Sequence, residues 1–314
     1  MSSFNARPMK TLLLDVGGTF IKCSDGREIP VSSDGSREEI SASFAEAVGT
    51  FCRELSRTGM SCTGAPRVEV SCNGSSSTNE TVTEKKKQHC GIAVAIPGPF
   101  DYERGIFLMR HKFSSVYGES FRELAGVPEE VGLRFIHDVN GMLAGEMSAG
   151  NGRGFSRVAL VTLGTGLGFA MSIDGHILKK ETGSPLVSIF ALPYRDGILE
   201  DYASKRGFLR TFRELGGQGA DTVKEIAALA DGGDASAQET FRMVGETIAE
   251  AISPILKEYK IECLLFGGQI SRSFSLMERS VREGLSDVAC LRSISPVSDF
   301  DNATFNGLRG LFEQ

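Results

Sequence analysis

Two glycine-rich segments of this sequence combine residue types that can bind an anion. Gly17-Gly18-Thr19 follows Asp15, and Gly164-Thr165-Gly166 lies in the same way between two strand-like segments. Glycine lets the backbone approach a ligand closely, so that several N–H groups point at one cluster of oxygens, and the threonine hydroxyl adds a donor. The pattern indicates two anion-binding turns, called here the first turn (residues 17–19) and the second turn (residues 164–166). Either turn taken alone is equally typical of an ordinary tight hairpin.

Other glycine-rich nucleotide motifs do not fit the surroundings of these turns. The sequence has no G-x-x-x-x-G-K-[ST] segment, which is the signature of a P-loop. Gly164, Gly166 and Gly168 form a G-x-G-x-G run, but strand-like segments flank it on both sides. A dinucleotide fingerprint needs a helix after its glycines, so that reading is excluded.

Both turns are placed at the corners of predicted β-meanders. A buried strand over 10–16 leads into the first turn, a second strand leaves it, and Asp25-Gly26 then gives a hairpin signal. The strand predicted over 157–163 leads into the second turn, and Asp174-Gly175 closes the strand that leaves it. The second half of the chain therefore repeats the arrangement of the first.

The rest of the chain alternates short strands with amphipathic helices. Hydrophobic periodicity predicts helices over residues 36–57, 198–215, 222–230, 235–259, 271–285 and 303–312, and apolar runs predict strands over 28–31, 91–96, 134–137 and 261–266. The strand over 134–137 leads into a further predicted helix, which Asp138 opens and which runs to Ala149. Residues 71–88 are polar, rich in Ser and Thr, and charged, which predicts an exposed loop. The three lysines in that loop are better explained as solvated charges than as an anion site.

The composition is that of a globular protein of about two domains. The chain has 314 residues, 41% of them hydrophobic, and a net charge of −6, which argues against a general affinity for nucleic-acid phosphates. No apolar run is long enough to be a signal peptide or to span a bilayer. Seven cysteines without a C-x-x-C pair give no support for a disulfide framework. We therefore expect a cytoplasmic protein with no nucleic-acid or membrane partner.

Five segments, in order along residues 11–268, resemble motifs of the ROK family of sugar kinases, within the actin/hexokinase-like ATPase superfamily. The matching segments are Asp15-Val16-Gly17-Gly18-Thr19-Phe20-Ile21-Lys22 (first phosphate motif), Ile96-Pro97-Gly98-Pro99-Phe100-Asp101 (I-P-G-P-V-D), Leu163-Gly164-Thr165-Gly166-Leu167-Gly168 (second phosphate motif), Leu199-Glu200-Asp201-Tyr202-Ala203-Ser204 (L-E-x-Y-A-S) and Leu265-Phe266-Gly267-Gly268 (glycine pair under the adenosine).

The resemblance implies an ATP:sugar phosphotransferase of the α/β class. The expected architecture is two ribonuclease-H-like (actin/hexokinase-like) domains with an active-site cleft between them. The first domain is expected over 1–135 and the second over 136–302, with a C-terminal helix over 303–314 that packs back on the first domain. ATP and Mg²⁺ are the implied cofactors, a small sugar is the implied substrate, and a homodimer is the implied assembly.

The same resemblance assigns roles to individual residues. Asp138 takes the place of the catalytic aspartate, which suits phosphoryl transfer because a carboxylate must accept the proton of the attacking hydroxyl. A simple helix N-cap is the alternative reading of Asp138. Asp15 is expected to hold Mg²⁺, directly or through water. The residues implied for nucleotide binding are Asp15, Gly17, Gly18, Thr19, Lys22, Gly164, Thr165, Gly166, Gly267 and Gly268.

The sugar-binding half departs from the family pattern. His137 replaces the Asn that precedes the catalytic Asp, and His111 lies in the segment that corresponds to the family's P-N-x-x-W. Residues 177–200 contain no Cys or His, so we expect no structural zinc. The implied sugar contacts are Gly98, His111, His137 and Glu181. Two histidines there would favour an acidic or otherwise polar-substituted sugar, and the alternative is a buried strand residue and a surface residue without that role.

Two functions from different classes remain open. The first is a kinase acting on a sugar or sugar derivative, which the intact Asp138 and the two turns favour. The second is a catalytically weak or inactive sugar or nucleotide sensor, because the family includes transcriptional repressors and a changed sugar site would suit a sensor. Those repressors carry a helix-turn-helix domain ahead of the first phosphate motif. With 14 residues before Asp15, we expect no such domain here.

Overall fold

A computed structural model of the chain describes residues 10–58 and 90–312. The described residues form two compact units, one up to Phe135 and the other from Ile136 onward. The predicted loop over 71–88 lies outside the described residues. No described helix has both the length and the apolar character that crossing a membrane requires.

The first unit is built on a five-stranded sheet with the order β3-β2-β1-β4-β7. Its elements are β1 (Lys10–Val16), β2 (Phe20–Cys23), β3 (Glu28–Pro30), α1 (Arg37–Thr58), β4 (Cys90–Ile96), β5 (Phe100–Asp101), β6 (Ile106–Phe107), α2 (Phe121–Ala125) and β7 (Gly132–His137). β1 pairs antiparallel with β2 and parallel with β4. All seven residues of β4 are buried, as the continuous apolar run in the sequence requires of a central parallel strand.

The second unit is built on a five-stranded sheet with the order β10-β9-β8-β13-β14. Its elements are α3 (Asp138–Ala149), β8 (Arg157–Leu163), β9 (Leu167–Ile173), β10 (His176–Ile177), β11 (Pro193–Tyr194), β12 (Gly197–Ile198), α4 (Leu199–Ala203), α5 (Lys205–Glu214), α6 (Val223–Asp231), α7 (Ala235–Glu258), β13 (Cys263–Gly267), α8 (Glu278–Gly284), β14 (Ser293–Pro296) and α9 (Ala303–Arg309). β8 pairs antiparallel with β9 and parallel with β13.

The two sheets share one plan, which is the ribonuclease-H-like arrangement. Each sheet starts with an antiparallel meander of three strands. Two further strands then extend the sheet beyond the first strand of that meander, on the side opposite its second strand. The first added strand is parallel in both sheets, and such a strand can be reached only through a crossover connection. The prediction of two ribonuclease-H-like domains in an α/β fold is confirmed.

The C-terminal helix is part of the second unit, which corrects the expectation that residues 303–314 pack on the first domain. α9 lies against α3, and glycines on both helices let the backbones meet. A Cβ added at Gly145 would lie 1.8 Å from the carbonyl oxygen of Ala303, and one added at Gly307 would lie 1.9 Å from that of Gly141. The sequence contains these glycines, but their contact appears only in the folded unit.

The helix predicted over 198–215 is interrupted at Ser204, which separates α4 from α5. The break has a specific cause in hydrogen bonding. The backbone N–H of Lys205 donates to the carbonyl of Gly164 at 2.9 Å, so it is directed at the second turn instead of continuing the ladder of α4.

The cysteines depart in one respect from the expectation of a chain without disulfides. Within the described residues Cys23, Cys52, Cys263 and Cys290 are free, whereas Cys90, the first residue of β4, is disulfide-bonded. Burial raises the pKa of the Cys23 and Cys263 thiols to about 11. These two thiols are therefore poor nucleophiles in the folded chain.

Candidate active site

The first turn joins β1 to β2 through a tight backbone reversal. The N–H of Gly17 donates to the carbonyl of Phe20 at 2.9 Å, and a Cβ at Gly17 would lie only 3.1 Å from that oxygen. The carbonyls of Gly18 and Thr19 accept from the N–H groups of Ser33 and Val31. None of the described residues accepts from the N–H groups of Gly18 and Thr19. These two N–H groups are therefore available to an anion.

Asp15 and Lys22 flank this turn on neighbouring strands. They are directly opposite each other in the β1–β2 register, and both side chains are half-buried. Side chains opposite each other in an antiparallel pair lie on the same face of the sheet, so one carboxylate and one ammonium share the base of the turn. A single carboxylate beside phosphate oxygens is the donor set that Mg²⁺ takes in kinases, so Asp15 fits the implied metal.

The second turn repeats this geometry between β8 and β9. The N–H of Gly164 donates to the carbonyl of Gly166 at 3.1 Å. Within the described part of the chain, the N–H groups of Thr165 and Gly166 have no protein acceptor. The two turns thus expose the same kind of donor, one at the corner of each sheet.

Glu200, the second residue of α4, holds the second turn through a hydrogen bond to the residue that follows the turn. Its Oε2 accepts the backbone N–H of Leu167 at 3.0 Å, directly after the turn, and a Cβ at Gly166 would lie 2.9 Å from the same oxygen. Arg206 approaches Glu200 Oε1 at 3.1 Å and Asp201 Oδ1 at 2.7 Å, so the carboxylate charge is compensated. The L-E-x-Y-A-S segment was matched by resemblance alone, and this contact gives its glutamate a physical role.

Gly267 and Gly268 bring the end of β13 against the end of β8. Gly268 has a φ of +80°, and a Cβ there would lie 2.3 Å from the carbonyl oxygen of Leu163. Leu163 directly precedes the second turn. The structure therefore places the predicted glycine pair beside the second turn, in a position that only glycine can occupy.

Asp138 is the first residue of α3, and His137 is its N-cap. The Asp138 Oδ1 atom accepts the backbone N–H of Val139 at 2.8 Å, and His137 Nδ1 lies 2.8 Å from the same Oδ1. The His137 side chain is 16% exposed and that of Asp138 is 39% exposed, so the carboxylate reaches solvent from a helix start. A negative charge there is also stabilised by the helix dipole.

Asn140 holds the segment that contains Glu181 close to α3. The Asn140 side chain is 1% exposed, and its Nδ2 donates to the carbonyl of Gly183 at 3.1 Å. Gly183, at a φ of +90°, closes a turn in which its N–H donates to the carbonyl of Lys180. Glu181 lies in this turn and is exposed. The turn is fixed to α3 through Asn140, which is two residues after Asp138. The sequence analysis did not single out Asn140, although its place two residues after Asp138 was visible.

The other implied sugar contacts, Gly98 and His111, belong to the first unit. Gly98 follows β4, and His111 is an exposed residue of the loop after β6. That loop is held by Phe113, which has a φ of +51° and packs on Phe44 with a ring distance of 6.0 Å. Arg110 stacks over the ring of Tyr117 at 4.2 Å in the same loop. His137 is the last residue of β7 and falls in the second unit, since the boundary between the units lies inside that strand.

No cluster of three or more His, Cys, Asp or Glu side chains in the described ranges is arranged to hold a metal ion. This finding does not conflict with Asp15 as a Mg²⁺ ligand, since that ion is commonly bound by one or two carboxylates together with substrate phosphates.

Comparisons with known proteins identify relatives of this chain. The model of the ROK family matches residues 76–185 and 193–312. The chain is 24% identical over 218 residues to the glucokinase of Thermotoga maritima, which covers 62% of this chain and 69% of that protein. It is 25% identical over 227 residues to the DNA-binding transcriptional repressor Mlc of Escherichia coli, which covers 64% of this chain and 54% of the repressor.

A solved structure extends the similarity over nearly the full chain. It is that of a ROK family glucokinase from Streptomyces griseus in complex with glucose and AMPPNP. It superposes with a TM-score of 0.69 at 19% identity, covering 96% of this chain and 98% of that one. Identity at this level shows a shared fold.

Proposed function

This chain belongs to the ROK family, and from that membership we propose that it is an ATP-dependent kinase acting on a hydroxyl of a sugar or sugar derivative. One observation carries the proposal: Asp138 starts α3 with its Oδ1 accepting the Val139 N–H at 2.8 Å beside His137 Nδ1, and Asn140 of the same helix fixes the segment that contains Glu181. A helix N-cap alone would not require a second acidic residue on a segment fixed to the same helix.

Asp138 is the proposed general base. Phosphoryl transfer proceeds through a loose transition state, so the protein needs mainly to position the hydroxyl and to accept its proton. A carboxylate that is already oriented by neighbouring donors accepts that proton without first reorganising. Such positioned acid–base groups contribute roughly 10²–10⁴-fold to a rate.

The two turns are proposed to bind the phosphates of ATP. The N–H groups of Gly18, Thr19, Thr165 and Gly166 donate to no described protein acceptor, and several amide donors on one anion make a phosphate site. Gly17 and Gly164 close the two reversals, and Gly267 and Gly268 place the end of β13 beside the second turn. Asp15, with Lys22 opposite it, is the proposed Mg²⁺ ligand. When bound, that ion would neutralise charge on the β- and γ-phosphates.

Sugar binding is proposed for Glu181, His137, Gly98 and His111. The glucokinase relatives support a sugar as substrate, and the altered residues His137 and His111 support a sugar other than plain glucose. Neutral imidazole donates one hydrogen bond and accepts another, so it can serve hydroxyl groups as an amide does. A homodimer is proposed as the assembly from family membership.

A second candidate function is a sugar-responsive sensor with little or no turnover. Two observations favour it: the similarity to the repressor Mlc and the presence of His137 where the family pattern has Asn. A sensor would bind sugar or nucleotide without consuming ATP.

An ATP-consumption screen separates these candidates. The purified chain is tested with Mg-ATP against hexoses, amino sugars and glycosides in a coupled assay, since the absence of tryptophan makes intrinsic fluorescence a weak probe. We expect one sugar class to stimulate ADP formation in the parent but not in an Asp138→Asn variant. Calorimetric sugar binding without any ADP formation would support the sensor instead.

A further inference from the structure

His137 makes a contact that a sugar-binding residue would not need. Its Nδ1 lies 2.8 Å from Asp138 Oδ1, and both atoms also lie near the backbone N–H of Val139. That N–H is 2.8 Å from Asp138 Oδ1 and 3.3 Å from His137 Nδ1. Three polar groups therefore meet at the first turn of α3, and only some assignments of their protons are consistent.

The distances decide where the proton lies. A bare Nδ1 at 2.8 Å from a carboxylate oxygen would set two lone pairs against each other, which is unfavourable. If Nδ1 carries a proton, it donates to Oδ1, and the Val139 N–H makes its shorter contact with the same oxygen. The imidazole is then neutral with Nδ1 protonated, or it is the imidazolium, and the longer Val139–Nδ1 approach is not a hydrogen bond.

We propose that His137 is a positioning residue: its Nδ1–H orients the Asp138 carboxylate for proton acceptance. The inference rests on the proposed role of Asp138 as the base. Two donors converge on Oδ1 from different directions, one from the helix backbone and one from the half-buried imidazole, so rotation of the carboxylate is restricted. Because His137 is 16% exposed, water competes less for its Nδ1–H than it would at the surface. This role differs from direct contact with the sugar, which would use Nε2.

Two amide substitutions separate the roles of the ring nitrogens. Asparagine places its amide nitrogen near the position of imidazole Nδ1, and glutamine places it near Nε2. We expect His137→Asn to keep kcat within about threefold of the parent, whereas His137→Gln and His137→Ala lose about tenfold to a hundredfold in kcat, since misplacement of a catalytic group by about 1 Å costs that much. KM for ATP should stay near the parent value in all three.

The opposite pattern would overturn the proposal. If His137→Gln keeps kcat while His137→Asn raises the sugar KM, then Nε2 binds the sugar and the contact with Asp138 is incidental. Equal kcat in all four proteins would also overturn it. Circular dichroism and thermal unfolding identify any variant that loses its fold, and His137→Asn retains a residue that caps helices well.

A second readout does not depend on turnover. In ¹⁵N NMR of the full chain, His137 Nδ1 should appear as a protonated nitrogen, and Asp138→Ala should shift that signal towards the unprotonated type. His176 is the internal control, because its Nδ1 lies 2.9 Å from the carbonyl of Asp174 and should not respond. An unprotonated Nδ1 in the parent would overturn the proposal. A protonated Nδ1 in a chain that phosphorylates no sugar would show instead that the proposed function has failed.

Discussion

The carboxylate of Glu200 accepts the backbone N–H of Leu167 at 3.0 Å, one residue past the second turn. The turn is held on its other side by the Lys205 N–H, which donates to the carbonyl of Gly164 at 2.9 Å. The first contact comes from the start of α4 and the second from the start of α5, so protein groups hold the turn on both sides. This preorganisation leads to the first of five predictions.

Replacing Glu200 by Ala should weaken ATP binding. Loss of a hydrogen bond to a charged group costs about 1.5–3 kcal/mol, and if half of that is expressed at the turn, KM for ATP rises about fourfold to tenfold. The kcat at saturating substrate should change less than threefold, because Asp138 is untouched. Steady-state kinetics with ATP varied provide the measurement.

Glu225→Ala is the matched control for Glu200→Ala. Glu225 also accepts backbone N–H groups in the second unit, those of Asp221 and Thr222 at 2.9 Å, but it serves the start of α6. The Glu225→Ala variant should have a lower unfolding midpoint and an unchanged KM for ATP. An unchanged ATP KM in Glu200→Ala would show that the contact does not shape the phosphate site.

Asp138→Asn should remove most phosphotransfer while the fold and ATP binding remain. Asn keeps the size and can still accept the Val139 N–H, but it cannot accept the proton, so kcat should fall by roughly 10²–10⁴-fold. Asp234→Asn is the control, since Asp234 caps α7 by accepting the Ala237 N–H at 2.8 Å and has no assigned chemistry. A rate in Asp138→Asn above about half of the parent's would exclude Asp138 as the base.

Gly268→Ala should both destabilise the second unit and weaken ATP binding. The new Cβ would lie 2.3 Å from the Leu163 carbonyl oxygen, and alanine is strained at a φ of +80°. Strain and overpacking each cost about 1–3 kcal/mol. Gly175→Ala is the control, since Gly175 has a φ of +82° with nothing within 4 Å. Thermal unfolding should show a clearly larger loss for Gly268→Ala, and equal losses would contradict the predicted clash.

Asn140→Ala should raise KM for the sugar and leave KM for ATP unchanged. The substitution removes the bond to the Gly183 carbonyl and so releases the segment that contains Glu181. Asn151→Ala removes a comparable amide–carbonyl bond, from Asn151 Nδ2 to the Pro296 carbonyl at 3.0 Å, and should not affect either KM. If both variants behave alike, Asn140 has only a structural role.

The purified protein should contain no stoichiometric zinc and should keep its unfolding midpoint in the presence of a chelator. Residues 177–200 lack the Cys and His side chains that a tetrahedral zinc site needs. Elemental analysis of the purified chain tests this directly. One tightly held zinc ion per chain would contradict it.

The main strands, the two turns and the start of α3 could be predicted from the sequence because their signals are local. The apolar run of β4 and the glycines of the turns each specify backbone structure over a few consecutive residues. Weak local signals were missed, as in β14, where only Ile294 of four residues is buried. Asp138 and Glu181 were predicted as site residues from motif resemblance, which also depends on consecutive residues.

The contacts that fix these residues were decided only by the tertiary structure. Glu200 and Leu167 are 33 positions apart, and Asn140 and Gly183 are 43 apart. The packing of α9 on α3 likewise depends on glycines far apart in the chain. No local preference indicates which distant backbone group a buried side chain will meet, because that choice follows from how sheets and helices pack. The sequence therefore determined which residues could do chemistry, and the packing within each unit determined what holds each of them in place.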